Sequence, residues 1–167
     1  GFATTNFDLW PTISKFILVI LMFLGACAGS TGGGIKTARI VIMAKTVGRE
    51  IKRMLHPRSV SVLKAEGKPV DQTVIHGTAV YFITYMGIFA VSILLVSLDG
   101  FDMVSTLTSV ITCFNNVGPG LGMVGPMGNF ADFSDFSKII LSLDMLLGRL
   151  EIFPIFMLFS PSIWRRS

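Results

Sequence analysis

From His76 to Leu98 the chain reads HGTAVYFITYMGIFAVSILLVSL, 23 residues with no formal charge beyond the one the histidine can carry. As a helix rising about 1.5 Å per residue, the stretch covers roughly 35 Å, enough for the ~30 Å hydrocarbon core of a bilayer. Composition agrees: 51% of the 167 residues are apolar and 14% charged, against about 25% charged in a soluble domain. The stretch therefore predicts a membrane-spanning helix, and the chain an all-α membrane protein. A second stretch, Ser137 to Ser160, is as long but carries Asp144, Arg149 and Glu151. A third, Ser14 to Ala28, is short and runs into a glycine-rich patch.

The net charge of +4 is unevenly placed: nine of the 14 Lys and Arg lie between Lys36 and Lys68, and Arg165 and Arg166 come near the end. Lys15 and Lys138 sit at the opposite ends of their apolar stretches, together with Asp8, Asp99, Asp102, Asp132 and Asp135. This positive-inside asymmetry predicts that 36–68 and the C-terminal residues face the cytoplasm of a multi-pass protein in the inner (plasma) membrane. The basic stretch 45–68 reads as a solvated loop beside lipid headgroups. No aromatics interleave its charges, so nucleic acid is not expected as a partner. Cys27 and Cys113 fall in apolar segments and read as small apolar residues, and His56 and His76 as interfacial ones. The chain opens GFATTN, with no initiator methionine or signal peptide, and reads as a piece of a longer polypeptide.

Shifted on itself by 123 residues, the chain matches: Asn6–Gly25 (NFDLWPTISKFILVILMFLG) and Asn129–Gly148 (NFADFSDFSKIILSLDMLLG) share nine of 20 positions. Such an internal repeat marks a duplicated structural unit. The second copy is preceded by the 76–98 helix, the connection DGFD, a weakly helical stretch 102–114 and an Asn/Gly/Pro segment. Each unit thus reads as helix, half-helix, irregular segment, helix.

The irregular segment decides the function. Irregular backbone is tolerated at membrane depth only where it is buried in protein or lines water. Residues 102–114 are too few to cross, about 20 Å as a helix, so they are expected to enter from outside, stop midway and return through 115–122. Gly118, Gly120 and Gly122 are expected to supply unusual dihedrals, with Pro119 holding Gly118 extended. The half-helix C-terminus then directs partial negative charge at the midplane. Asn116–Gly120, NVGPG, shares its valine and both glycines with the potassium-channel filter TVGYG, whose carbonyls replace an ion's hydration shell.

Four blocks, GFATTN, GACAGSTGGGIK, FNNVGPGLGMVGP and GRLEIFP, closely resemble the Trk/Ktr/HKT superfamily of potassium uptake proteins, in its Trk-type membrane subunit. The likeness runs over essentially the whole chain, in family order. It implies four helix–pore–helix units around a pseudo-fourfold axis, with this chain holding the end of the third (1–53), a basic cytoplasmic loop (54–73) and the fourth (74–167). It further implies a filter built from Gly1 and Phe2 in one unit and Asn116, Val117, Gly118 and Pro119 in the other. It implies potassium as the transported substrate, held by the backbone carbonyls of Asn116, Val117 and Gly118, and no cofactor is expected in this chain. The implied partners are the upstream repeats of the same polypeptide, a second copy, the lipid bilayer, and a cytoplasmic nucleotide-binding ring that the basic loop would contact.

After Gly25 and Gly148 the two copies diverge, and the divergence points to a gate. The first continues into Gly29, Ser30, Thr31, Gly32, Gly33 and Gly34, a run that breaks a helix and places a loop beneath the filter. GSTGGGIKT is no phosphate-binding loop, because Ile35 separates the last glycine from the lysine. The second copy places Arg149 about 16 Å below the aligned lysine, near the bilayer centre. An intramembrane charge is a functional-site hypothesis by default. Arg149 either reaches the pore, donating to the glycine loop or repelling a cation, or pairs with a carboxylate of another unit. Asp144 is either protonated or paired with another unit, and Lys36 is a cytoplasmic-side anchor or a gating residue. No nucleophile–base pair or metal cluster suggests an enzyme. The remaining alternative is a non-conducting membrane subunit or truncation.

Overall fold

The structure, a computed structural model, describes residues 3–25, 32–56, 64–65, 68–150 and 152. Its main elements are helical: α1 (Thr12–Phe23), α2 (Thr37–Leu55), α3 (Gln72–Val96), α4 (Met103–Phe114) and α5 (Asp135–Leu150). Lys64–Ala65 and Lys68–Pro69 form a two-residue antiparallel pair, Lys64 opposite Pro69.

The 25 residues of α3 make a helix of about 38 Å, long enough to cross a bilayer with some tilt. Asp71 caps it, accepting from the Thr73 N–H at 3.3 Å. The chain turns at Gly100, whose φ of +76° suits glycine. Asp102 then caps α4 through the Val104 and Ser105 N–H groups, at 3.1 and 3.2 Å. At 12 residues α4 is about 18 Å long, too short to cross a bilayer. Its Ser105, Thr106, Thr108, Ser109 and Thr112 are buried, and the hydroxyls of all of these but Thr106 have backbone partners. Ser109, for example, donates to the Thr106 carbonyl at 2.8 Å and Thr112 to that of Ser109 at 3.1 Å.

The duplication is visible in the backbone. Helices α1 and α5 start at Thr12 and Asp135, a separation of 135 − 12 = 123 residues, the shift found in the sequence. The aligned Asn6 and Asn129 make the same local turn, each side-chain oxygen accepting the N–H two residues on (3.1 and 2.9 Å). The copies part company before the glycine run: α1 ends at Phe23, whereas α5 continues to Leu150.

The basic stretch departs from the loop expected of it, because α2 carries it as helix to Leu55. Lys45, Lys52 and Arg53 stand exposed on that helix, while Ile40 and the buried Ile35 before it join a cluster with Tyr81, Tyr85, Phe114 and Ile152. This apolar contact holds α2 against α3, and propensity does the rest, since Arg, Lys, Met and Ala are good helix formers. A second cluster, Val96, Val110, Cys113, Val124, Phe133 and Leu141, packs α3, α4 and α5 together. Cys113 is a buried free thiol within it.

The Asp99 carboxylate accepts from the Ser134 hydroxyl (2.7 Å) and N–H (3.0 Å), tying the α3–α4 turn to the start of α5. These bonds hold its carboxyl below the usual carboxylate range. A carboxyl depressed in the folded state stabilises above its unfolded pKa of about 3.9, and that contribution is lost as pH falls through the lower, folded value. Acidifying from about pH 4 downward should therefore lower the unfolding temperature of detergent-solubilised protein less in Asp99→Asn than in the parent. Equal pH slopes would show the bonds to be without effect.

Candidate ion-conduction site

Helix α4 ends in a Schellman motif. The N–H groups of Asn115, Asn116 and Val117 donate back to the carbonyls of Ile111 (3.0 Å), Cys113 (3.2 Å) and Thr112 (2.9 Å). Asn116 supplies the left-handed residue this requires, at φ +54°; Asn is the non-glycine type that best tolerates the conformation. The return path is held just as firmly. Gly120 N–H donates to the Val124 carbonyl at 2.7 Å. Leu121 N–H donates to the Thr108 hydroxyl (3.1 Å), Met123 N–H to that of Ser105 (3.0 Å) and Gly122 N–H to Asp8 of the first repeat copy (3.0 Å).

All of these amides are thus committed to the protein side. The carbonyls of Asn116, Val117 and Gly118 receive no hydrogen bond from any described residue, and Asn116 and Gly118 are exposed. Irregular backbone at membrane depth is tolerated where it is buried in protein or lines water. Val117 and Pro119 border a cavity of about 270 Å³, with Phe7, Leu18, Leu21 and Met22 of the first copy across from them.

The glycines differ in detail from expectation. Gly118 at φ +105° and Gly122 at +65° do take unusual dihedrals, although +105° is not ordinary extended backbone. Gly120 has no positive φ; space excludes a side chain there, since a Cβ would lie 2.7 Å from Val124 Cγ2 and 3.1 Å from Thr108 Oγ1. The third left-handed residue is Asn116, which glycine counting missed.

The described end of the glycine loop lies against Asn115 and Asn116. Gly25 N–H donates to the Ile35 carbonyl at 2.9 Å, and the Thr37 hydroxyl to the Gly25 carbonyl at 3.1 Å, drawing the two ends of the loop together. A Cβ on Gly33 would stand 2.8 Å from both the Asn115 carbonyl and Asn116 Nδ2; one on Gly34 would stand 2.7 Å from Asn115 Oδ1. On the other side α5 touches the same segment. Asn116 Nδ2 donates to the Met145 carbonyl at 3.2 Å, and a Cβ on Gly148 would collide with the Phe114 carbonyl. Arg149, the next residue, is exposed one position past that contact. Gly1 and Phe2 of the expected filter, and Gly29, Ser30 and Thr31 of the expected loop, lie outside the described residues, as do Cys27 and Glu151.

The sequence did not single out Asn115, Tyr85 or Ser92. Asn115 Oδ1 accepts from the Tyr85 hydroxyl at 2.7 Å. Ser92, one heptad along α3, donates to Asp144 Oδ1 at 2.7 Å. Asp144, buried to 2% exposure, therefore has a partner inside its own unit. The signal for both was present but mute: polar residues at 85 and 92 share one face of an apolar helix, yet nothing in the sequence names what they face.

Over residues 1–166 the chain matches the family model described as TrkH, cation transport protein. The chain belongs to the TrkH family. Within it, the chain is 41% identical over 165 residues to the Trk system potassium uptake protein TrkH of Vibrio parahaemolyticus, covering 99% of this chain and 34% of that one. It is 39% identical to the TrkH of Salmonella typhimurium and 35% to the TrkG of Escherichia coli, with the same coverage. The crystal structure of the potassium transporter TrkH from Vibrio parahaemolyticus superposes with a TM-score of 0.86 at 40% identity, over 98% of this chain and 35% of that chain. The chain thus spans about a third of the length of the TrkH-family relatives it matches.

Proposed function

We propose that this chain forms part of a potassium uptake pathway across the inner membrane, in which the carbonyls of Asn116, Val117 and Gly118 replace water around the ion. The observation that carries this is the one-sided backbone: amides 115–117 and 120–123 are bound on the protein side, while carbonyls 116–118 receive no hydrogen bond from a described residue. A strand that turns only its oxygens to an aqueous path suits a desolvated cation and repels an anion. Potassium as the ion is supported by the names of the relatives, Trk system potassium uptake proteins. The upstream units that complete the ring are part of this proposal. So are a second copy, a nucleotide-binding ring on the cytoplasmic side against α2 and residues 57–68, and a cytoplasmic C-terminus.

The gate belongs to the same proposal. A glycine loop seated under Asn115 and Asn116 blocks the path, and Arg149, close to that seat, holds it closed by donating to loop carbonyls and repelling the cation. Two measurements test this. The complete reading frame containing this chain should rescue growth of a potassium-uptake-deficient bacterium at low external potassium; failure with normal membrane insertion would remove the transport reading. Arg149→Ala should raise potassium flux per inserted molecule several-fold, and an unaltered flux would take the arginine out of the gate.

A further inference from the structure

The buried Tyr85–Asn115 hydrogen bond has no part in the filter itself, yet lies between the filter base and the loop below. Asn115 is 4% exposed and Tyr85 1%. The Asn115 carboxamide is held at both ends: Oδ1 accepts the Tyr85 hydroxyl at 2.7 Å, and Nδ2 donates to the Ile111 carbonyl at 2.8 Å. A carboxamide held by a donor at its oxygen and an acceptor at its nitrogen has one orientation. That orientation turns the same Oδ1 toward Gly34, where even a methyl group would approach to 2.7 Å. Gly34 is at φ +83°, so the loop returns beneath the filter in a conformation that only glycine adopts readily.

The face of α3 that carries Tyr85 also meets the exit of the loop. Arg39, in the first turn of α2, lays its guanidinium over the Tyr81 ring, 3.9 Å from its centroid. Tyr81 and Tyr85 are ring neighbours at 6.3 Å, and Tyr85 packs edge-on against Phe114, the last residue of α4, at 4.6 Å. One helix face thus touches the end of the pore helix, the residue that caps it and the helix that leaves the glycine loop.

We infer that Tyr85 and Asn115 are a positioning pair that seats the glycine loop: the tyrosine hydroxyl orients the Asn115 carboxamide, and that oxygen shapes the surface against which Gly33 and Gly34 close the path. The inference rests on the proposal that cations pass the 116–118 carbonyls with this loop as the barrier. Neither residue touches the ion, and the carbonyl ladder is intact without the hydroxyl.

Tyr85→Phe removes one oxygen and keeps the ring contact with Phe114. It leaves Asn115 Oδ1 buried without its donor, a loss that the amide relieves by rotating away from its seat. Rubidium flux through proteoliposomes containing the complete reading frame, normalised to inserted protein, should rise about tenfold at rest, the ratio that ~1.4 kcal/mol gives, with potassium preference over sodium unchanged. Gly34→Ala attacks the same oxygen from the loop side and should raise resting flux similarly. The double variant should exceed neither, because both disturb one contact. An unchanged or lowered flux per molecule in Tyr85→Phe, effects that multiply in the double variant, or a lost potassium preference would each overturn the pair as a loop seat. Gly118→Ala in the same assay keeps the two ideas apart. Lost preference there beside a silent Tyr85→Phe sinks only the positioning pair, whereas an unaffected Gly118→Ala sinks the filter as well.

Discussion

Gly118→Ala is expected to abolish potassium-selective uptake. The residue sits at φ +105° between a left-handed Asn116 and a proline. A Cβ in left-handed backbone costs about 1–2 kcal/mol, and at this φ the strain is relieved by rotating the peptide planes on either side. Those planes carry the Val117 and Gly118 carbonyls. Pro119 cannot absorb the change, because its ring fixes φ near −65°, and Val117 N–H is tied to the Thr112 carbonyl at 2.9 Å. The rotation therefore falls on the oxygens proposed to face the path. Uptake of potassium and sodium should be measured separately, in cells lacking their own potassium systems. Potassium uptake is expected to fall at least tenfold, or to lose its preference over sodium. A variant that inserts normally and keeps both rate and preference would contradict the filter.

The second large effect is expected at Gly148. An alanine there places its methyl on the Phe114 carbonyl and 3.2 Å from Asn116 Nδ2. The first obstacle is backbone at the end of α4, which cannot swing aside as a flexible side chain would, so α5 must move. Overpacking of this kind costs about 1–3 kcal/mol or more, and here it also strains the Asn116–Met145 bond. The folded yield and thermal unfolding temperature of detergent-solubilised protein should both drop, with flux per surviving molecule altered too. Gly87→Ala provides the contrast. That glycine lies inside α3 with nothing within 4 Å of a new Cβ, so the gain in helix propensity, about 1 kcal/mol, should leave stability equal or higher. Similar losses in both variants would show that glycine is needed at 148 for something other than the close crossing of α4.

Much of the plan could be read without coordinates. The uncharged run at 76–98 announced α3, and the 123-residue self-match placed the starts of α1 and α5 in register. Residues 102–114, too few to cross, emerged as α4 with Asp102 at its cap. These features are local: period, length and capping chemistry act within a few residues and leave their mark in order along the chain. Along the basic stretch charge density reads as loop, whereas a few apolar residues at helical spacing, Ile40 among them, are enough to anchor α2.

What the chain alone determined is where the backbone had to break: Asn116 and Gly118 permit the left-handed turn, the run ending at Gly34 stops α1, and lipid forbids either break from facing outward. Tertiary packing alone decided what those breaks touch. Tyr85 lies 30 positions from Asn115 and Ser92 52 from Asp144, and Asp8 reaches Gly122 across 114. No periodicity spans such separations, because which face of one helix meets which turn of another is set by the simultaneous fit of all the helices.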